Sequence, residues 1–310
     1  MTQSKANRRN YALIKLISRQ PIKLGRLVAG LVAGLVTRLP LSKISKIIRL
    51  NIKIALPNLT ETEYQQLSAR AIRNELTAYF EFLSIWGSAN EKNIKRVQTV
   101  VGEQYLHDAL AEQKGLVLIV PHFGTWEVMN AWLSQYTQMT ILYKPVKNPD
   151  ADQFVRDARS REQAHLVPTD ESGVRQIFKA LKQGGTTAIL PDHTPDHGGE
   201  MIEYFGIPLA SSSLSAKLIQ KTKAKALLIY AKRNEQDGFD MFIEPIDPRI
   251  YEGSAEDGTL VIHQTLEKLI RQYPEHYHWS YKRFSANPAL KKIYDIDENN
   301  ALIKIAEIRK

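Results

Sequence analysis

Over roughly the first 95 residues, apolar positions recur at helical spacing; beyond them the pattern changes to short apolar runs alternating with amphipathic stretches. In residues 42–56, Ile44, Ile47, Ile48 and Ala55 stand against Lys43, Lys46, Arg49 and Lys53, the pattern of a basic amphipathic helix. Pro57 closes it, and Thr60 with Glu63 supplies the capping box of a second helix reaching about Trp86. Upstream, residues 27–36 read LVAGLVAGLV between Arg26 and Arg38. The charge-free run of eleven residues falls short of the roughly 18 that mark a spanning helix. Snorkelling of both arginines would extend the usable stretch to residues 22–41, with Gly30 and Gly34 as a small-residue pair for close helix contact.

The second part reads differently. Residues 116–120, LVLIV, form a continuous apolar run expected of a strand buried on both faces. Further strands are expected at 139–143, 166–168, 186–190, 226–231 and 239–244. Helices are expected between them at 125–136, 150–163, 171–183 (stopped by Gly184-Gly185), 211–222 and 259–272. This alternation predicts an α/β fold: a largely parallel central sheet with helices on both faces, preceded by a helical, membrane-associating N-terminal region. The expected organisation is a basic and apolar anchor over 1–41, a helical region over 42–95 and an α/β catalytic domain over 96–310.

Charge sharpens the reading of the first segment. Residues 1–60 hold twelve Lys/Arg and no acid, so the overall +9 leaves −3 for the rest. The basic residues are interleaved with aliphatic rather than stacking aromatic side chains. That favours an anionic membrane surface over nucleic acid as the partner. The chain has no cysteine, which excludes disulfides, thiolate metal sites and a cysteine acyl-enzyme.

Two of the expected strands end alike, in Pro121-His122-Phe123-Gly124-Thr125-Trp126-Glu127 and in Pro191-Asp192-His193-Thr194-Pro195-Asp196-His197. Ligands of such sheets bind at the carboxyl ends of strands, so both loops are candidates for the site. On one continuous helix His122 and Glu127 would lie about 140° apart and could not meet. They can meet if His122 sits in the turn before the helix and Glu127 in its first turn, which Gly124 permits. His122 is then the expected general base, with Glu127 holding its tautomer.

The block VPHFGTWE resembles the H-x4-D/E block of glycerolipid acyltransferases, specifically that of the lipid A biosynthesis late acyltransferases. The resemblance extends along nearly the whole chain. It takes in residues 51–57 (NIKIALP) with Glu81, then Tyr143-Lys144-Pro145 and Lys147-Asn148-Pro149 with Arg159. It continues through Gly185, Pro191-Asp192 and Phe205-Gly206, to Tyr277-His278-Trp279 with Lys282-Arg283-Phe284.

The resemblance implies transfer of an acyl chain from an acyl carrier protein thioester to a hydroxyl of a lipid A precursor. It places the reaction at the cytoplasmic face of the bacterial inner membrane and implies no cofactor. Without a cysteine or a G-x-S-x-G elbow, direct attack on the thioester is expected. Arg159 is assigned by resemblance to bind phosphate or the developing charge, and Asp192 to substrate binding. Backbone N–H groups of the Gly124–Trp126 turn are expected to face the oxyanion. Trp126 and Trp132 read as packing residues or as walls of an acyl channel. Lys217, Lys221, Lys223 and Lys225 read as a solvated face or a dock for an acidic carrier protein.

Two rival readings remain. Asp192, His193, Asp196 and His197, with His122 and His165 nearby, could ligate the metal of a hydrolase. A non-catalytic binding protein would use the basic N-terminus alone.

Overall fold

A computed structural model describes residues 8–38, 42–195 and 198–309. The N-terminal part is helical: α1 (Arg8–Ser18), α2 (Ile22–Arg38), α3 (Lys43–Ala55), α4 (Glu61–Trp86) and the short α5 (Asn90–Ile94). Thr60 and Glu63 form the expected reciprocal capping box of α4. From there strands and helices alternate: β1 (Val97–Val101), α6 (Glu103–Ala111), β2 (Leu116–Ile119), α7 (Glu127–Leu133), β3 (Thr140–Tyr143), α8 (Pro149–Arg161), β4 (His165–Pro168), α9 (Glu171–Lys182) and β5 (Thr186–Ile189). A hairpin follows, β6 (Glu200–Tyr204) and β7 (Ile207–Ser211), then α10 (Leu214–Thr222), β8 (Lys225–Arg233), β9 (Phe239–Pro245), α11 (Ala255–Gln272) and α12 (Glu298–Ile308).

The central sheet has the order β1-β9-β8-β2-β5, and all its pairings are parallel except β8 with β9. That exception follows from the connection, since the few residues between Arg233 and Phe239 suffice for a hairpin and not for a crossover. β3 and β4 form a separate parallel pair beside β5, joined to it at Met139–Thr186 and by the Thr187 hydroxyl on the Thr140 carbonyl at 2.7 Å. The β6–β7 hairpin and the β1–α6 unit are absent from the periodicity reading. Residues 200–211 mix charged and apolar positions without a clean run, and the hairpin turns at Phe205-Gly206, both at positive φ.

Alternation along β2 shows why helices cover both faces. Val117 and Ile119 enter a core shared with α3, α4, α9, α10 and α11. Leu116 and Leu118 enter a second core with α6 and α7. The sheet is thus apolar on both sides and must be sandwiched.

The N-terminal helices lie on this body. α2 packs along α4, burying Ala29 and Ala33, and α1 packs on α4 and α8. Their outer faces expose Leu13, Leu16, Leu24, Leu27, Leu31 and Leu35. Among the described residues no single helix is long and apolar enough to cross a membrane; α2 and α3 pass such a test only as a pair bent by 78°. Of the two glycines expected at a close helix contact, Gly30 faces the Arg73 guanidinium and Gly34 faces open space.

Candidate active site

The turn after β2 is held rigidly. Gly124 has φ +54°, and a Cβ there would stand 2.2 Å from the Ala231 carbonyl oxygen, so only glycine fits. Its N–H donates to the His276 carbonyl at 2.7 Å, and the His278 N–H donates to the His122 carbonyl at 2.9 Å. The His278 ring donates from Nε2 to the Gly124 carbonyl at 2.9 Å, and burial first of all keeps that ring neutral, its pKa pushed down to about 3. Beneath the turn, the Thr125 hydroxyl donates to the fully buried Glu81 carboxylate. Glu81 also accepts from Arg233 at 2.8 Å and from Arg26 of α2 at 2.6 Å. The turn is thereby tied to the N-terminal helices.

His122 is held by Asp192. The His122 N–H donates to Oδ2 at 2.9 Å, and Nδ1 lies 2.8 Å from Oδ1. Asp192 is fully buried. Burial alone would raise its pKa, but the adjacent His122 charge and hydrogen bonds outweigh it and hold the carboxyl below the usual carboxylate range. An ionised carboxylate can only accept, so Nδ1 carries the proton and Nε2 is the basic nitrogen. Nε2 makes no hydrogen bond among the described residues. Trp126 meets the ring edge-on at 5.0 Å, and His193 lies parallel to it at 3.6 Å.

Glu127 is elsewhere engaged, which corrects the expectation that it holds His122. Its Oε1 accepts from Arg159 Nη2 at 2.7 Å, and its Oε2 from Trp86 Nε1 at 2.9 Å and Asn130 Nδ2 at 3.3 Å. The reason is position. Glu127 opens α7, where its side chain is taken up by α4 and α8, whereas Asp192 leaves β5 level with His122 leaving β2. Arg159 also faces Glu162 at 3.8 Å. Burial pushes the Glu162 carboxyl up to about 8, an effect that Arg159 only partly opposes.

The structure also places other residues singled out in the sequence. The Gly124 N–H is spent on His276, so the turn's remaining donors are those of Thr125 and Trp126. Trp126 packs between Phe82 and the rings of His122 and His278. Trp132 is buried beside Tyr136. Of the lysine cluster, Lys217 pairs with Glu200 and Lys225 with Glu112. The metal reading gains no support. Both Asp192 oxygens are engaged by His122, Asp196 and His197 lie outside the described residues, and no cluster of three or more ligands exists among those described.

A family model described as bacterial lipid A biosynthesis acyltransferase matches residues 10–286. The chain is 23% identical over 249 residues to a lipid A biosynthesis lauroyltransferase of Escherichia coli K12, covering 79% of this chain and 80% of that protein. It is 22% identical over 252 residues to a lipid A biosynthesis acyltransferase of Haemophilus influenzae, covering 79% and 77% respectively.

Proposed function

Since the chain belongs to the bacterial lipid A biosynthesis acyltransferases, we propose that His122 Nε2 is the base that activates a hydroxyl of a lipid A precursor for attack on an acyl carrier protein thioester. The observation that carries this is the 2.8 Å contact of His122 Nδ1 with a buried, ionised Asp192, which leaves Nε2 as the acceptor. The acceptor hydroxyl gives its proton to Nε2 as its oxygen bonds to the thioester carbonyl carbon. The tetrahedral intermediate then collapses, the C–S bond breaks, and the imidazolium returns the proton to the leaving thiolate. Asp192 stabilises the transient imidazolium, and general-base catalysis of this kind supplies about 10²–10⁴ in rate. No cysteine is present to form a thioester intermediate, which favours direct transfer.

In this reading Arg159 supplies a fixed positive charge to the bound substrate. Glu127 holds one of its nitrogens, and Glu127 is in turn held by Trp86, so the guanidinium is oriented before substrate arrives. In this reading Arg159 grips a phosphate of the acceptor or the developing oxyanion, assisted by the Thr125 and Trp126 N–H groups. Asp192 serves the base rather than the substrate.

The exposed leucines of α1 and α2, set among Lys15, Lys23 and Arg38, support attachment to an anionic leaflet at the cytoplasmic face of the inner membrane. Both helices rest on elements that carry site residues, α4 with Trp86 and α8 with Arg159. The lipid acceptor and the base would thus be brought to one side of the molecule.

The test is purified enzyme with acyl carrier protein thioester and lipid A precursor, read by mass spectrometry. Wild type adds one acyl mass to the acceptor and His122→Ala does not. Normal turnover by His122→Ala would remove the base assignment.

A further inference from the structure

Three stacked rings stand at the base. His122 and His193 are parallel, with centroids 3.6 Å apart and an interplanar angle of 0°. His193 and Tyr281 are stacked at 3.7 Å and 10°. Two rings cannot share one face of His193, so it is sandwiched, with His122 on one side and Tyr281 on the other. Tyr281 is itself tied to the same loop, its hydroxyl accepting from the Thr194 N–H at 3.1 Å.

Asp192 fixes one edge of the His122 ring, which sets the tautomer but leaves the tilt about that hydrogen bond free. A flat neighbour against the ring removes the tilt. We propose that His193, backed by Tyr281, is a positioning residue that holds the plane of the His122 imidazole so that Nε2 stays aimed at the acceptor hydroxyl. Neither ring nitrogen of His193 makes a hydrogen bond among the described residues, so it meets His122 and Tyr281 through its faces. Burial first, then the neighbouring His122 charge, push the His193 pKa down to about 4. Near neutrality it therefore presents an uncharged ring, and no like charge opposes the imidazolium that forms beside it.

The inference rests on the proposed role of His122 as base, and the test separates the two. His193→Ala lowers kcat about 10²-fold, the scale of a slight misplacement of a reacting group, while KM for both substrates stays within about twofold. His193→Phe, which keeps a flat ring without nitrogens, recovers most of the lost kcat. In ring-labelled histidine NMR of the full-length enzyme in detergent, the His122 signals leave their ring-shielded position in His193→Ala and keep it in His193→Phe.

Wild-type kcat in His193→Ala, or a His193→Phe as impaired as His193→Ala, overturns the inference. His122 signals unmoved in His193→Ala show that the stack itself is wrong. If instead His122→Ala remains active while those signals do move, the stack stands but the base assignment, and with it the inference, falls.

Discussion

His122 and Asp192 stand at the same step of two parallel, in-register strands. Each β2 residue pairs with the β5 residue seventy positions later, from Leu116 with Thr186 to Ile119 with Ile189. The same offset carries past the strand ends to the 2.8 Å contact between the imidazole and the carboxylate. The backbone reinforces it, since the Val120 N–H still donates to the Ile189 carbonyl at 3.0 Å. The dyad is therefore built on sheet register and does not rely on a flexible loop finding its partner.

Asp192→Asn keeps the shape and removes the charge that stabilises the imidazolium. An amide can also accept from or donate to Nδ1, so the tautomer is no longer enforced. The expected loss in kcat is about 10²–10⁴-fold with little change in KM. Steady-state kinetics on the folded variant check this, and a kcat within a few-fold of wild type would show that the buried carboxylate is not coupled to proton transfer.

Glu127 calls for a different expectation. Its carboxylate is buried against Arg159, Trp86 and Asn130, so truncation strands a guanidinium and an indole N–H. Glu127→Ala should lose activity and also stability, by about 3 kcal/mol on the scale of broken buried ion pairs. If Glu127 acts only through Arg159, Glu127→Ala combined with Arg159→Ala is no worse in kcat/KM than either alone. Strict additivity of the two losses would assign Glu127 a separate role.

Much of this was legible in the sequence and some was not, for identifiable reasons. The apolar run of β2 and the Pro-His and Pro-Asp that follow β2 and β5 marked both loops as the site. His122 was readable from that placement. Its partner was misread because the five-residue spacing to Glu127 is local and visible, whereas the seventy-residue offset to Asp192 appears only once β2 and β5 are neighbours. The signal was present: LIVPH and AILPD are two strand ends of the same form, and side-by-side parallel strands would bring their last residues together. Glu81 could not be read as the anchor of Thr125 and Arg26, since that network joins α2, α4, the β2 turn and β8. The antiparallel β8–β9 pair left only a short connection as its trace.

Glu162 predicts a pH dependence of stability. Burial raises its folded pKa from 4.5 to about 8, so the folded state holds this proton where the unfolded chain has lost it. By linkage, its contribution is fully present below pH 4.5 and is lost as the pH rises through about 8. Glu162→Gln cannot lose a proton, so its melting temperature should fall less than that of wild type between pH 6 and 8. Parallel pH profiles for the two proteins would place the Glu162 proton elsewhere.

The outer face of α2 predicts how the enzyme meets its acceptor. Leu27, Leu31 and Leu35 are exposed by 62%, 70% and 60%, and they lie four positions apart on one stripe, away from the Ala29 and Ala33 that pack on α4. Burying such side chains in lipid is worth roughly 1.5–3 kcal/mol each, more than the fold needs to leave unused on a water-facing helix. Replacing all three with Ser should therefore weaken sedimentation with vesicles containing anionic lipid by several orders of magnitude. It should leave the melting temperature in detergent unchanged, because none of the three packs in the core. Raising the salt should weaken wild-type binding only in part, since screening acts on Lys15, Lys23 and Arg38 but not on apolar burial. Full binding by the triple variant would mean that the exposed stripe is not the surface that meets the membrane.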